Sequence, residues 1–244
     1  CGGELMGRVT VAGGNPGMKV PTTGIQAGTL AVGSTVKLME GGTAVEYLVV
    51  NQGIPSNSSL YDASCDGTWL LRKDIHSKRQ WNTSNANIYE TSAINTWLNG
   101  DFFNSLGSIE QATVRQVKIP YLKGGGTGTI QSGANGLPCK IFLLGGYELG
   151  WTIAEFPVDG AKLDYFPSGS EGDGKRMRTF NGSNALWYTR SQIVSTTTAL
   201  WCVAAVGTYG DLDAPIYSGG IIPTLILPKT ALFDEATMLL KGVA

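Results

Sequence analysis

Charge is scarce in this chain of 244 residues: Asp, Glu, Lys and Arg make up only 15% of positions, against roughly 25% in an average soluble domain. The 18 basic and 19 acidic side chains leave a formal charge of -1, so there is no basic field to hold a phosphate backbone, and no nucleic-acid partner is expected. Cysteine is confined to Cys1, Cys65, Cys139 and Cys202, with no CxxC pair and a single histidine, His76, to join them. That spacing argues against a zinc site, and reduced, buried thiols are expected because a chain this long folds without staples. No run of 18 apolar residues occurs, so membrane insertion by a helix is not expected, and no leader segment is visible. The chain begins at Cys1 rather than Met, which leaves open what precedes it. What is abundant is glycine, 34 residues, about twice the usual ~7% share. A surface built from Ser, Thr, Asn and Gly fits an extracellular or virion protein better than a metabolic enzyme.

The length fits one large domain. Residues 1–28 are rich in Gly and Pro and read as an arm or linker, 29–233 as the domain, and 234–244 as a tail. Within the domain, Thr35–Leu38, a Gly41-Gly42 turn and Ala44–Val50 predict a β-hairpin, and Thr68–Arg72 a buried strand. Ile94, Trp97, Leu98 and Phe102 recur at helical spacing behind Thr91 or Ser92 as N-cap, with Gly100 or Gly107 as the stop. Ser108-Ile-Glu-Gln111 has the form of a capping box opening a second helix that ends before Pro120. A polar loop over 124–136, a short strand over Lys140–Leu144 and an irregular stretch over 155–184 follow. Ala199–Val203 and Ile221–Leu227 read as strands, the latter held at an edge or paired only beyond Pro223.

Catalytic constellations are thin. His76 sits in a charged stretch and reads as an exposed histidine with no partner in sequence. Asp159, Asp164, Glu171 and Asp173 read as solvated turn residues rather than paired acids. Asp211 and Asp213 lack a surrounding EF-hand loop, and Lys123–Thr129 lacks the Gly-Lys-Ser/Thr ending of a phosphate loop, so it reads as a flexible segment. No enzyme activity, metal or cofactor is therefore expected. A binding surface remains: Trp187, Tyr188, Trp201, Tyr209 and Tyr217 are interleaved with Ser, Thr and Gly, the composition of antibody paratopes. Trp187 and Trp201 fit a sheet core equally well. Between Ile193 and Ile222 there is no Lys, Glu, Gln, Met or Asn, and Trp201 alone needs a codon that does not end in a pyrimidine.

LYDASCDGTWLL at 60–71, Gln80-Trp81, INTWLN at 94–99, VKIP at 117–120, GANG at 133–136, CKIFLL at 139–144 and GYELGW at 146–151 together resemble domains abundant in phages and prophages of gut Firmicutes. That family is similar to C-type-lectin and formylglycine-generating-enzyme folds and to the variable proteins of diversity-generating retroelements. The family's Trp-Trp-Leu-Arg-Ser-Pro block reads Trp187-Tyr-Thr-Arg-Ser-Gln192 here, and Ile222 and Thr224 replace Arg and Ala in its closing strand. The calcium triplets of sugar-binding lectins are absent, and a reactive cysteine pair is not expected.

The resemblance implies an α+β, C-type-lectin-like fold with two helices packed on small antiparallel sheets and long irregular loops. Its variable region would span about 186–222. The implied function is non-catalytic recognition by a phage receptor-binding or adhesion protein, on a virion fibre or a bacterial cell surface, with a protein or glycan of a bacterial surface as partner. A structural fibre or decoration protein using the same surface for assembly is the alternative, and the Gly/Pro-rich arm suits a trimer or attachment to a virion. Contact candidates are Tyr188, Arg190, Gln192, Ile193, Thr197, Trp201, Tyr209, Asp211, Asp213 and Tyr217. Arg190 fits two roles, pairing with an acidic ligand or locking the fold by binding backbone carbonyls.

Overall fold

In the computed structural model of the chain, the structure describes residues 23–213 and 218–243, with the backbone alone described at Asp213. Ten strands make two five-stranded sheets. In chain order they are β1 (Thr35–Glu40), β2 (Thr43–Gln52), β3 (Thr68–Arg72), β4 (Ser77–Gln80), β5 (Ile141–Phe142), β6 (Trp187–Gln192), β7 (Ala199–Val203), β8 (Tyr209–Asp213), β9 (Ser218–Ile221) and β10 (Thr224–Leu227). The first sheet has the order β5-β10-β3-β2-β1 and the second β8-β7-β6-β9-β4. All pairs are antiparallel except β6 with β9. With the helices below, this is a mixed α+β domain.

The β1–β2 hairpin forms where expected. Gly41 and Gly42 have φ of 53° and 82°, the pair of positive values that a two-residue turn matched to strand twist requires. β1 alternates, turning Val36, Leu38 and Glu40 inward. β3 is covered on both faces, which is why its sequence runs apolar without alternation. Trp69 at its centre donates its indole N–H to the carbonyls of Gly53 and Cys65 at 3.0 and 3.1 Å. The apolar run 221–227 splits between the sheets at Pro223, which has no N–H to continue a ladder. The Pro223 carbonyl still accepts the Arg72 N–H at 3.0 Å, and β10 pairs only from Thr224 onward.

The first helix, α1 (Ala93–Trp97), is capped by Ser92, whose hydroxyl accepts the Asn95 N–H at 3.0 Å. Ile94, Leu98 and Phe102 face the core. Gly100 does not stop it: a wider turn over Leu98–Phe102 carries the coil on through Phe103–Ser105. The second helix, α2 (Ser108–Thr113), does not use the expected capping box. Gly107 takes the N-cap position, and the Gln111 amide donates to the Leu106 and Asn104 carbonyls at 2.7 and 3.2 Å rather than reaching a free N–H. Buried Glu110 accepts the Met39 N–H at 2.9 Å, tying α2 to β1.

The described ends of the chain belong to the fold. Ile25–Gln26, expected in an arm, pairs with Leu232–Phe233, and Leu240–Val243, expected in a tail, pairs with Ala231–Phe233. Residues 1–22 lie outside the described residues. The polar loop 124–136 starts within a small hairpin of Tyr121–Lys123 and Thr129–Gln131. The stretch 155–184 is irregular apart from two short helical turns, Gly169–Gly172 and Asp173–Arg176, and a two-residue hairpin.

Candidate ligand-binding face

All six residues of β6 are buried, so Tyr188, Arg190 and Gln192 are not surface contacts as expected; they build the frame. The reason is position: β6 is the middle strand of the second sheet and has packed layers on both faces. The Tyr188 ring packs edge-on against Trp81 at 5.5 Å, in room that Gly219 leaves open. Burial pushes its hydroxyl up to about 12. The Gln192 amide is buried with neither of its polar atoms bonded among the described residues. Trp187 is core as well, its indole N–H donating to the Arg176 carbonyl at 3.0 Å.

Arg190 takes the locking role. Its guanidinium donates to the carbonyls of Pro120, Leu143 and Asp159 and makes a two-pronged pair with Glu148 at 2.6 and 2.8 Å. Glu148 also accepts the Tyr61 hydroxyl at 2.7 Å and the Gly145 N–H at 2.9 Å. Asp159, expected in a solvated turn, is fully buried and accepts the Ser191 hydroxyl at 2.8 Å. Burial raises its carboxyl to about 6, opposed by the neighbouring Arg190 charge. A buried charge cluster this well bonded is costly to break. Its chemical effect is to fix the chain from Leu143 to Ala161 onto β6.

That fixed loop carries Trp151 and Phe156, which the sequence reading left out of the site. Phe156 stacks on Trp201 with ring centres 4.4 Å apart and planes 20° apart, and it meets Trp151 at 5.6 Å and Tyr209 at 6.0 Å. Tyr209 stands edge-to-face against both Trp151, at 5.9 Å, and Trp201, at 5.8 Å. Phe156 and Trp151 are buried, Trp201 is half-buried with its indole N–H 3.3 Å from the Glu155 carbonyl, and Tyr209 is 46% exposed. The cluster depends on Gly146: a Cβ there would lie 2.2 Å from the Phe156 ring. Beside Tyr209 opens a cavity of about 180 Å³ lined by Trp151, Thr152, Ile153, Gly169, Ser170, Asp173 and Thr208 as well. Its rim is closed by the β7–β8 turn, where Gly207, at φ 88°, lets the backbone approach the Asp173 carbonyl too closely for any Cβ.

The expected contacts therefore divide. Trp201 and Asp211 pair across β7 and β8, and Tyr209 pairs with Val203, so Trp201, Tyr209 and Asp211 share one face of the sheet. Asp211 is exposed. The backbone of Asp213 holds the register position opposite Ala199. Ile193, half-buried, and Thr197, exposed, sit in the turn that joins β6 to β7. Buried Asn87 holds that turn through the carbonyls of Thr196 and Ala199, at 3.2 and 2.7 Å. Tyr217 lies outside the described residues.

The Gly-rich segment 123–129 is a packed hairpin rather than a flexible loop. Gly125 and Gly126 are buried, and a Cβ on Gly126 would strike the carbonyls of Ile193 and Thr196. His76 is likewise not exposed: its ring lies 5.2 Å from Trp97 and 5.1 Å from Phe102, with Nδ1 3.0 Å from the Ser77 hydroxyl. Burial, reinforced by Arg72 and Arg79, lowers its pKa to about 4. No ion pair involves His76 among the described residues, and no group of His, Cys, Asp and Glu there is placed to hold a metal. Cys65, Cys139 and Cys202 are buried and unpaired, and burial raises Cys65 and Cys202 to about 12. Nothing local in the sequence marks Trp151 and Phe156, which lie in a stretch without regular periodicity.

Residues 66–229 match the family described as a domain of unknown function, DUF6273, a span that covers roughly two thirds of the chain and every strand of the second sheet. No curated protein and no solved structure matches the chain.

Proposed function

The chain belongs to the DUF6273 family, and on that premise we propose that it is a non-catalytic recognition protein whose binding face is the Trp201, Tyr209 and Asp211 side of the second sheet. The observation that carries the reading is the aromatic cluster: four rings held by a buried ionic frame, with Tyr209 46% exposed beside an open cavity. Rigid rings give contact area at low entropic cost, and such anchors dominate binding energy. Tyr209 and Asp211 lie in the segment 193–222, where every residue but Trp201 is of a type that a codon ending in a pyrimidine can encode; that supports a diversified surface around Trp201 as a constant anchor. Arg190, Glu148 and Asp159 supply that constancy. The paired strands at the two ends of the described residues, the two helices and the long loop over 143–184 suit the C-type-lectin-like fold proposed here. A phage receptor-binding or adhesion protein, acting on a protein or glycan of a bacterial surface, is the setting this reading favours.

The test is binding of the full chain to intact gut Firmicutes cells, compared with a Trp201→Ala/Tyr209→Ala variant. Binding should fall at least tenfold while the far-ultraviolet circular dichroism and a cooperative urea transition keep their folded form, since two anchors of ~1 kcal/mol or more each are removed. Unchanged cell binding would remove the face from the account. Assembly of the chain into oligomers that bury Tyr209, with no cell binding, would favour the fibre or decoration role.

A further inference from the structure

We infer that the ligand presents a cationic head, the ammonium or guanidinium of a lysine or arginine on a protein partner, to the cavity beside Tyr209; this rests on the recognition reading and narrows it. Size limits the guest first. The cavity is about 180 Å³, close to the ~150 Å³ that admits a benzene ring, so it holds one ring or one side-chain head and not an extended chain. Its walls set the second limit. Trp151 and Tyr209 meet at 81° with centres 5.9 Å apart, giving a corner of aromatic surface, and aromatic faces attract cations through their quadrupole. The protein uses Trp151 in this way already: the Arg176 guanidinium lies 4.8 Å from its ring centre, with its charge met by Asp173 at 2.9 Å.

Charge decides the sign. The segments that build the face, 151–161 and 191–213, contain no lysine or arginine, and outside the buried Arg190 frame their described carboxylates are those of Glu155 and Asp211. Glu155 and Asp211 are exposed, and Glu171 is exposed beside the cavity-lining residues Gly169 and Ser170. The neighbouring basic groups are already matched: Arg176, which lies against Trp151, is buried on Asp173 and backbone carbonyls, and Lys175 lies over the Tyr165 ring at 4.8 Å. A chain of net charge -1 thus concentrates acid at its aromatic face, which attracts a cation and repels an anion.

The experiment is a titration of the ¹⁵N-labelled full chain with capped Gly-Lys-Gly and Gly-Arg-Gly peptides, their norleucine and citrulline counterparts, glucosamine and glucose. The lysine or arginine peptide should shift the amides of Trp151, Thr208 and Tyr209 and bind at least about fivefold tighter than its neutral counterpart. The preference should shrink at high salt and in Asp211→Asn, and persist in Glu46→Gln, whose carboxylate pairs with Lys73 elsewhere on the molecule. Equal or tighter binding of the neutral probes, or no shift with any probe, overturns the inference. Glucosamine acting in place of the peptides overturns the protein source. These failures are distinct from failure of the recognition reading, which shows as cell binding that survives Trp201→Ala/Tyr209→Ala.

Discussion

At the scale of single residues, the molecule separates two kinds of polar side chain that look alike in sequence. Arg190 and Asp211 lie two strands apart in one sheet, on β6 and β8, yet Arg190 is bound on every side within the core and Asp211 is exposed. Glu148→Gln is expected to destabilise the fold by ~3–5 kcal/mol, because it strands a buried guanidinium, whereas Asp211→Asn should stay within ~0.5 kcal/mol; urea unfolding at neutral pH reads both. Equal effects at the two sites would contradict the division into frame and face. The buried titratable groups add a pH signature. His76, lowered to about 4 in the fold, contributes stability present above its unfolded value near 6.5 and lost as pH falls toward 4. Asp159, raised to about 6, acts in the opposite sense: its contribution is full below its unfolded value of ~3.9 and is lost as pH rises through 6. The stability of the wild-type chain relative to His76→Gln should therefore rise between pH 4 and 6.5. A difference that is flat across that window would show that the imidazole is not held neutral against Trp97 and Phe102.

At the scale of elements, legibility followed local chemistry. The β1–β2 hairpin was readable because Gly-Gly between alternating strands leaves one economical turn, and α1 because Ser92 caps an apolar face that Ile94, Leu98 and Phe102 continue. The α2 start was misread because a Ser-x-x-Gln pattern says nothing of the tertiary pull of Met39 on Glu110, which sets where that helix begins. The aromatic strand 187–192 was misread for a related reason: burial of both faces depends on the loop 143–161, which is distant in sequence. Glycines carry long-range information of the same kind. Gly146→Ala should cost ~1–3 kcal/mol through overpacking, because its Cβ would meet Phe156 at 2.2 Å, and it should also weaken ligand binding by displacing the ring beneath Trp201. Gly100→Ala, at a helical position with nothing within 4 Å, should leave stability level or raised by ~0.5–1 kcal/mol. Thermal unfolding of the pair checks both, and a tolerated Gly146→Ala would mean the ring stack is not tightly seated.

At the scale of the whole molecule, the architecture joins a buried frame to an exposed face. The frame ties β6 to the loop through Arg190, Glu148 and Asp159, and the face borrows two rings from that loop and two from β7 and β8. The mixed α+β class and six of the ten strands of the two main sheets were legible in sequence, and locking was one of two roles read for Arg190; the assembly of Trp151 and Phe156 with Trp201 and Tyr209 was not, since it spans some fifty residues of chain with no local marker. The thiols report on the integrity of this whole. Cys65, Cys139 and Cys202 are buried and should resist iodoacetamide at pH 8 in the folded chain and react once it is unfolded in urea; rapid native labelling of all three would contradict the packing described.

The most direct measurement is a saturation scan of positions 187–213 on displayed protein, scored in parallel for folded display and for capture by the cells that the wild-type chain binds. Positions 187–192 are expected to lose display on most substitutions, whereas Thr197, Trp201, Tyr209 and Asp211 are expected to keep display and change capture. Free substitution at Arg190, or capture indifferent to Trp201 and Tyr209, would contradict a fixed frame carrying a binding face.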